Sequence, residues 1–148
     1  MSPTKGKTAP VRLPTTRRSL PIALMRAREN VMGPVREMLA DTGITEQQWR
    51  ILRVLSEHGA QDATHLSERT CLLLPSLTRI IQTMVAKGLV TRTPDASDRR
   101  RQTLAITPVG QQIIDDNLEH AARIADGYVQ KLGKDRYEAL LDLLETLA

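Results

Sequence analysis

From residue 20 onward, apolar residues recur at helical spacing. Leu24, Met25, Val31, Met32, Val35, Met38 and Leu39 form a stripe that predicts a first helix starting after Ser19, a suitable N-cap. Pro21 is tolerated in its first turn. Gly33-Pro34 interrupts the stripe, and the lost backbone donor predicts a kink, not necessarily an end. Asp41-Thr42-Gly43 reads as a turn. Thr45 and Gln48 then fit a capping box, with Ile44 placed for a hydrophobic staple. Trp49, Leu52 and Leu55 are the stripe of that second helix, and Gly59 closes it. Asp62 caps a short helix holding Ala63 and Leu66 and reaching towards Cys71. Pro75 suits the first position of a further helix whose inner face is Leu77, Ile80, Ile81, Met84 and Val85, with Gly88 at its C′ position.

The period then changes. Leu89-Val90-Thr91-Arg92-Thr93 alternates, residues 94–101 form a charged turn, and residues 102–106 are a second short strand, which together predict a hairpin. Thr107-Pro108 opens a long helix over about 108–130, Gly133 breaks it, and a last helix carries Tyr137, Leu140, Leu141, Leu144 and Leu147. The predicted fold is mainly α with a small β-hairpin wing. It is a winged helix-turn-helix over about 45–106, between a long first helix at about 19–40 and long C-terminal helices at about 108–148. Residues 19–148 read as one domain and residues 1–18 as a flexible basic arm.

Composition narrows the function classes. At 148 residues and 41% hydrophobic, the chain can bury a core. One cysteine excludes a disulfide framework and a zinc site built mainly of thiolates. No apolar run reaches the roughly 18 residues of a membrane span. The arm also lacks the apolar run of a signal peptide, so a cytoplasmic protein is expected. With one Trp, two Tyr and no Phe, single strands held by base stacking are disfavoured. The net charge of +4 favours a polyanion, and duplex DNA fits best.

That charge is uneven. Residues 1–20 hold five basic groups and no acid, residues 61–106 are net +3, and residues 107–148 are net −4. The arm is equally consistent with a solubilising tail and with a DNA contact.

Two short helices, a tight turn and a basic hairpin place the second helix for the major groove. Pro75, Ser76, Thr78, Arg79 and Gln82 are its candidate DNA residues; Arg79 can grip guanine bidentately, and the hydroxyls can reach phosphates or bases. On the hairpin tip, Asp98 is expected to fold back and orient Arg100, while Arg99, Arg100 and Arg101 enter a narrow minor groove. Alone, three arginines in a turn are an ordinary solvated loop. Their place after such a helix changes that reading.

Leu77-Thr78-Arg79, Lys87-Gly88-Leu89-Val90, Asp98-Arg99-Arg100 and Thr107-Pro108-Val109-Gly110, in this order and spacing, resemble the MarR (multiple antibiotic resistance regulator) family over about residues 20–148. Residues 45–50 and 71–79, with 20–29 upstream, further resemble its homoprotocatechuate-operon repressor branch, HpaR. Leu74 departs from the pattern, since many members place Ser or Thr before the proline. The resemblance implies a homodimer with interlocked first and last helices. It also implies a repressor of an aromatic catabolic operon, released by a small aromatic or phenolic acid held between the dimer helices and the DNA-binding lobe. Independently, the apolar residues 24–39 span an arc of about 140° with Arg28 in its middle. A guanidinium there needs an anion, whether a carboxylate effector or an acidic side chain of a partner subunit, unless it snorkels to water. Ser19, Arg26, Trp49 and Arg50 are further effector candidates, although Arg50 also suits a helix-surface pair with Glu46, and Trp49 suits the core.

An enzyme is not expected. His58, His65 and His120 are scattered, there is no phosphate loop or nucleophile motif, and no cofactor is implied. His58, His65 and Cys71 match no common metal-ligand spacing. The alternative function is an oxidation sensor acting through Cys71, but beside Leu72-Leu73-Leu74 that thiol is expected to be buried and inert. An interaction module that has lost DNA binding is a third class.

Overall fold

The computed structural model describes residues 6 and 8–148; Lys5 and Lys7 of the basic arm lie outside the described residues. The chain divides into two compact units, Met1–Gly33 and Pro34–Ala148. In the first, a 3-10 turn at Thr16–Arg18, absent from the sequence reading, precedes helix α1, Leu20–Leu39, whose residues from Pro34 onward belong to the second unit. The helix starts where Ser19 indicated, with the Ala23 N–H donating to the Ser19 carbonyl over 2.8 Å. Pro34 lies inside it and does not end it.

The second unit is built on α2 (Glu46–His58), β1 (Gln61–Asp62), α3 (Ala63–Thr70), α4 (Leu74–Ala86), β2 (Val90–Pro94), β3 (Gln102–Ile106), α5 (Pro108–Leu132) and α6 (Lys134–Thr146). Local chemistry sets its helix starts. Thr45 Oγ1 accepts from the Gln48 N–H at 3.2 Å, and Gln48 Oε1 accepts from the Thr45 N–H at 3.1 Å, which satisfies two orphan donors at once. Gly59 ends α2 at φ 78°, a conformation that disfavours any side chain.

The core joins Ile51, Leu52 and Leu55 of α2 to Leu66 of α3, Leu77, Ile81 and Met84 of α4, Val90 and Leu104 of the sheet, and Ile114 of α5. The sheet has three strands, not two. Its order is β1-β3-β2, antiparallel throughout, with Gln61 opposite Leu104 and Val90 opposite Ile106. The expected wing is thus rooted on a third strand at the start of α3.

A second junction fixes the wing to α5. Thr107 Oγ1 donates to the Gly88 carbonyl at 2.6 Å and accepts from the Gly110 N–H at 3.1 Å, while the Thr107 N–H donates to the Leu89 carbonyl at 3.0 Å. Gly110 is buried there, and a Cβ on it would collide with the Leu89 carbonyl oxygen and with Ile106. The run Thr107-Pro108-Val109-Gly110 therefore has a mechanical meaning: a cap, a first-turn proline and a residue small enough for close approach.

Candidate nucleic-acid interface

Helices α3 and α4 meet through a turn whose geometry is closely specified. Cys71 adopts the left-handed conformation at φ 55°, the one non-glycine residue with positive φ among the described residues. Its N–H and that of Leu72 return to the Glu68 and Ser67 carbonyls. Thr70 is fully buried, and its hydroxyl donates to the Leu66 carbonyl at 2.6 Å. Arg50 reaches in from α2, and its Nη1 donates to the Thr70 carbonyl at 2.7 Å. This bond corrects the expected Arg50–Glu46 surface pair: Glu46 lies against Arg36, at 3.4 Å.

Cys71 is exposed, against the expectation of a buried thiol. The physical reason is the left-handed residue itself, which turns the chain so that Leu72 packs on the core while Cys71, Leu73 and Leu74 face outward.

Helix α4 presents the residues the sequence singled out. Pro75, Thr78, Arg79 and Gln82 are exposed, Ser76 is half-buried, and Leu77 and Ile81 point inward. Pro75 is the second residue of the helix, one later than expected, and Leu73 supplies no side-chain cap. The Thr78 hydroxyl donates to the Leu74 carbonyl at 3.0 Å.

The wing tip is ordered by its own carboxylates. Asp95 Oδ1 accepts from the Ser97 N–H at 2.9 Å and from the Ser97 hydroxyl at 2.8 Å, and these bonds, the backbone one foremost, hold its carboxyl below the ordinary range. Asp98 folds back as expected, but onto a different atom. Its Oδ1 accepts from the main-chain N–H of Arg100 at 3.0 Å, and Oδ2 lies 4.0 Å from Arg101 Nε, so the Arg100 guanidinium is not the group it orients.

Arg101 also faces Asp62 Oδ2, at 3.9 Å. Asp62 caps α3 by accepting from the His65 N–H at 2.9 Å, and His65 Nδ1 lies 2.8 Å from the same oxygen. The backbone bond, then the His65 side chain, lower the Asp62 carboxyl. Arg99 and Arg100 are exposed, and among the described residues neither guanidinium is bonded. The three arginines, Asp62, Thr64 and Leu74 line a cavity of about 300 Å³ between the wing and the start of α4.

Sequence reasoning missed β1, Leu73 and Leu74 as surface residues, and the Asp62–Arg101 contact. Only the N-cap position of Asp62 signalled any of these.

The effector candidates are divided between the two units. Arg28 is exposed on α1 and lies 3.8 Å from Glu29; Arg26 is exposed, and Ser19 is half-buried. Trp49 is buried in the core of the second unit, and Arg50 is half-buried at the α3–α4 turn. His58 lies 3.9 Å from Glu57 and His65 beside Asp62, apart from Cys71 in these contacts. Among the described residues no helix is long and apolar enough to cross a membrane.

Comparison with known proteins places this geometry. Residues 44–101, which hold α2, the helix-turn-helix and most of the wing, match the MarR family model. The chain is 38% identical over 130 residues to the HTH-type transcriptional regulator FarR of Neisseria gonorrhoeae, covering 88% of this chain and 89% of that protein. It is 42% identical over 95 residues to the homoprotocatechuate degradative operon repressor of Escherichia coli, covering 64% of each. The crystal structure of NadR in complex with 4-hydroxyphenylacetate superposes with a TM-score of 0.77 at 36% identity, covering 99% of this chain and 97% of that one.

Proposed function

This chain belongs to the MarR family of transcriptional regulators, and from that premise we propose that it is a homodimeric repressor that binds a pseudo-palindromic duplex operator and is released by a small aromatic acid. The observation that carries the DNA part is the placement of α4's exposed polar face beside a wing with three arginines. In this reading Thr78, Arg79 and Gln82 meet base edges in the major groove, the Ser76 hydroxyl meets a phosphate or a base, and Arg99 to Arg101 follow the backbone or the minor groove. Residues 19–148 act as one regulator, with the arm of residues 1–18 outside it.

Dimerisation is supported by the leucines left exposed on α5 and α6, namely Leu118, Leu140, Leu141, Leu143 and Leu144, and by Leu147 just after α6. An apolar surface of that extent suits a second copy. On α1, exposed Leu24, Met25 and Val31 extend the same argument.

The ligand part rests on relatives. One is a homoprotocatechuate operon repressor, and NadR was crystallised with 4-hydroxyphenylacetate. Arg28 is the residue proposed to meet the ligand carboxylate, with Ser19, Arg26, Trp49 and Arg50 as secondary candidates. Ligand binding favours a dimer whose recognition helices no longer match successive grooves, which lowers the DNA-competent population. The test is to titrate 4-hydroxyphenylacetate into the protein–duplex complex while following fluorescence anisotropy. Release by the acid that weakens in Arg28→Ala supports the reading, and identical titrations in both proteins remove Arg28 from it.

The exposure of Cys71 favours a second reading, in which oxidation of this thiol disturbs the α3–α4 turn and weakens operator binding. Peroxide that abolishes binding of the wild type but not of Cys71→Ser would establish it; equal sensitivity would dismiss it.

A further inference from the structure

The Leu72-Leu73-Leu74 run divides at the surface. Leu72 packs against the core, whereas Leu73 is 78% exposed and Leu74 45% exposed, immediately ahead of the polar face of α4. Neither leucine side chain serves the helix locally. Leu73 occupies the N-cap, where a Ser, Thr, Asp or Asn oxygen would satisfy an orphan N–H, and it provides no cap. Exposed apolar side chains at such a position call for an occupant.

The surroundings restrict what that occupant is. Leu74 shares its cavity with Arg99, Arg100 and Arg101, so the apolar spot has a cationic rim. Through the Thr78 hydroxyl, bonded to the Leu74 carbonyl, it is continuous with the α4 face that carries Arg79. A partner that fits must therefore be anionic at its edges and apolar at one point within. Duplex DNA offers that combination: phosphates line the groove, and the thymine C5-methyl is the apolar group that base pairs display on the major-groove floor. The N-terminal end of a recognition helix is the part that approaches that floor.

We propose that Leu73 and Leu74 form an apolar reading head for thymine methyl groups, so that part of the sequence preference of this protein comes from van der Waals contact and not from hydrogen bonding. This rests on the DNA-binding reading above and adds two base-reading residues to it. The leucines favour A·T pairs at the bases under the start of α4, while Arg79 favours guanine further along the same helix.

The experiment uses the full chain and duplexes recovered from a random pool. Each thymine in a recovered site is replaced in turn by uracil, which removes only the C5-methyl. Wild type should lose about fourfold in affinity for each buried methyl removed. The Leu73→Ala, Leu74→Ala double variant should bind the thymine and uracil duplexes equally, and Leu73→Met should keep the discrimination. Both leucines are exposed, so the double variant should unfold at the wild-type temperature; if it does not, the single Leu73→Ala variant serves in its place. Wild-type affinity insensitive to uracil at every position overturns the proposal and leaves DNA binding intact. So does discrimination that survives undiminished in the leucine variants. Failure to recover any sequence overturns the DNA-binding reading, and this inference with it.

Discussion

Arg50 Nη1 donates to the carbonyl oxygen of Thr70 across 2.7 Å, joining α2 to the last residue of α3. The bond spans twenty residues of sequence and ends at the turn that aims α4. A cation at a helix C-terminus is favoured by the dipole as well as by the hydrogen bond. Arg50 is thus a positioning residue for the DNA-binding helix, whatever it does for a ligand. Arg50→Met should cost about 1.5–3 kcal/mol of stability, the range for hydrogen bonds to charged groups, with Arg50→Lys recovering part of it. Thermal unfolding measures this. Operator affinity should fall in parallel, and an Arg50→Met protein with unchanged stability and unchanged affinity would remove the clamp from the account.

Gly110 gives a sharper packing prediction. A methyl group there meets the Leu89 carbonyl, which already accepts from the Thr107 N–H, and the Ile106 side chain. Gly110→Ala should therefore destabilise by about 1–3 kcal/mol, although alanine is the better helix former. Denaturant unfolding checks the sign, and stabilisation would mean that α5 approaches the wing less closely than described.

Asp62 links stability to pH. Its carboxyl is lowered below the ordinary 3.8 in the folded state, so its contribution is present above that value and is lost as pH falls through the folded value. Asp62→Ala should lose about 1 kcal/mol at neutral pH, the usual cost of an N-cap. The gap between the two proteins should narrow below about pH 4. Asp62→Asn should keep the cap and lose most of that pH dependence. A gap that widened on acidification would contradict the assignment.

The wing arginines should differ in kind. The Arg99 and Arg100 guanidiniums are unbonded among the described residues, so each replacement by alanine removes phosphate contacts and little else. In a dimer, each should flatten the slope of log affinity against log salt by about 1.8, two contacts at about 0.9 each. Arg101 lies near Asp62 and Asp98, so Arg101→Ala should flatten the slope and also loosen the wing. Affinity measured between about 50 and 200 mM salt separates the two cases; equal slopes in all variants would take the wing off the DNA.

These contacts also mark where sequence reading succeeds. The Thr45–Gln48 box, the Asp62 cap and the Thr107-Pro108 start were legible because each is settled within four residues by donor and acceptor geometry. The outward residues of α4 followed from the period of its buried face. β1 was not legible, because two residues become a strand only through Leu104 and Thr103, some forty positions away. The Arg50 partner was misread for a similar reason: the local rule offered Glu46, and a distant carbonyl won. Cys71 was misplaced because its neighbours suggested burial, whereas one left-handed residue decides which leucine turns inward. The effector candidates stand furthest from sequence logic, since no rule of local spacing ties Ser19, Arg26 and Arg28 to Trp49 and Arg50.

If the proposed function holds, two copies of this chain read duplex DNA through α4 and the wing. Selection of bound sequences from a random duplex pool by the full chain, at about 50 mM salt, tests it most directly. Enrichment of a pseudo-palindrome with half-sites about one helical turn apart is expected, with loss of that enrichment in Arg79→Ala. Recovery of no sequence preference by the wild-type protein, with negligible retention of duplex at that salt, would contradict it.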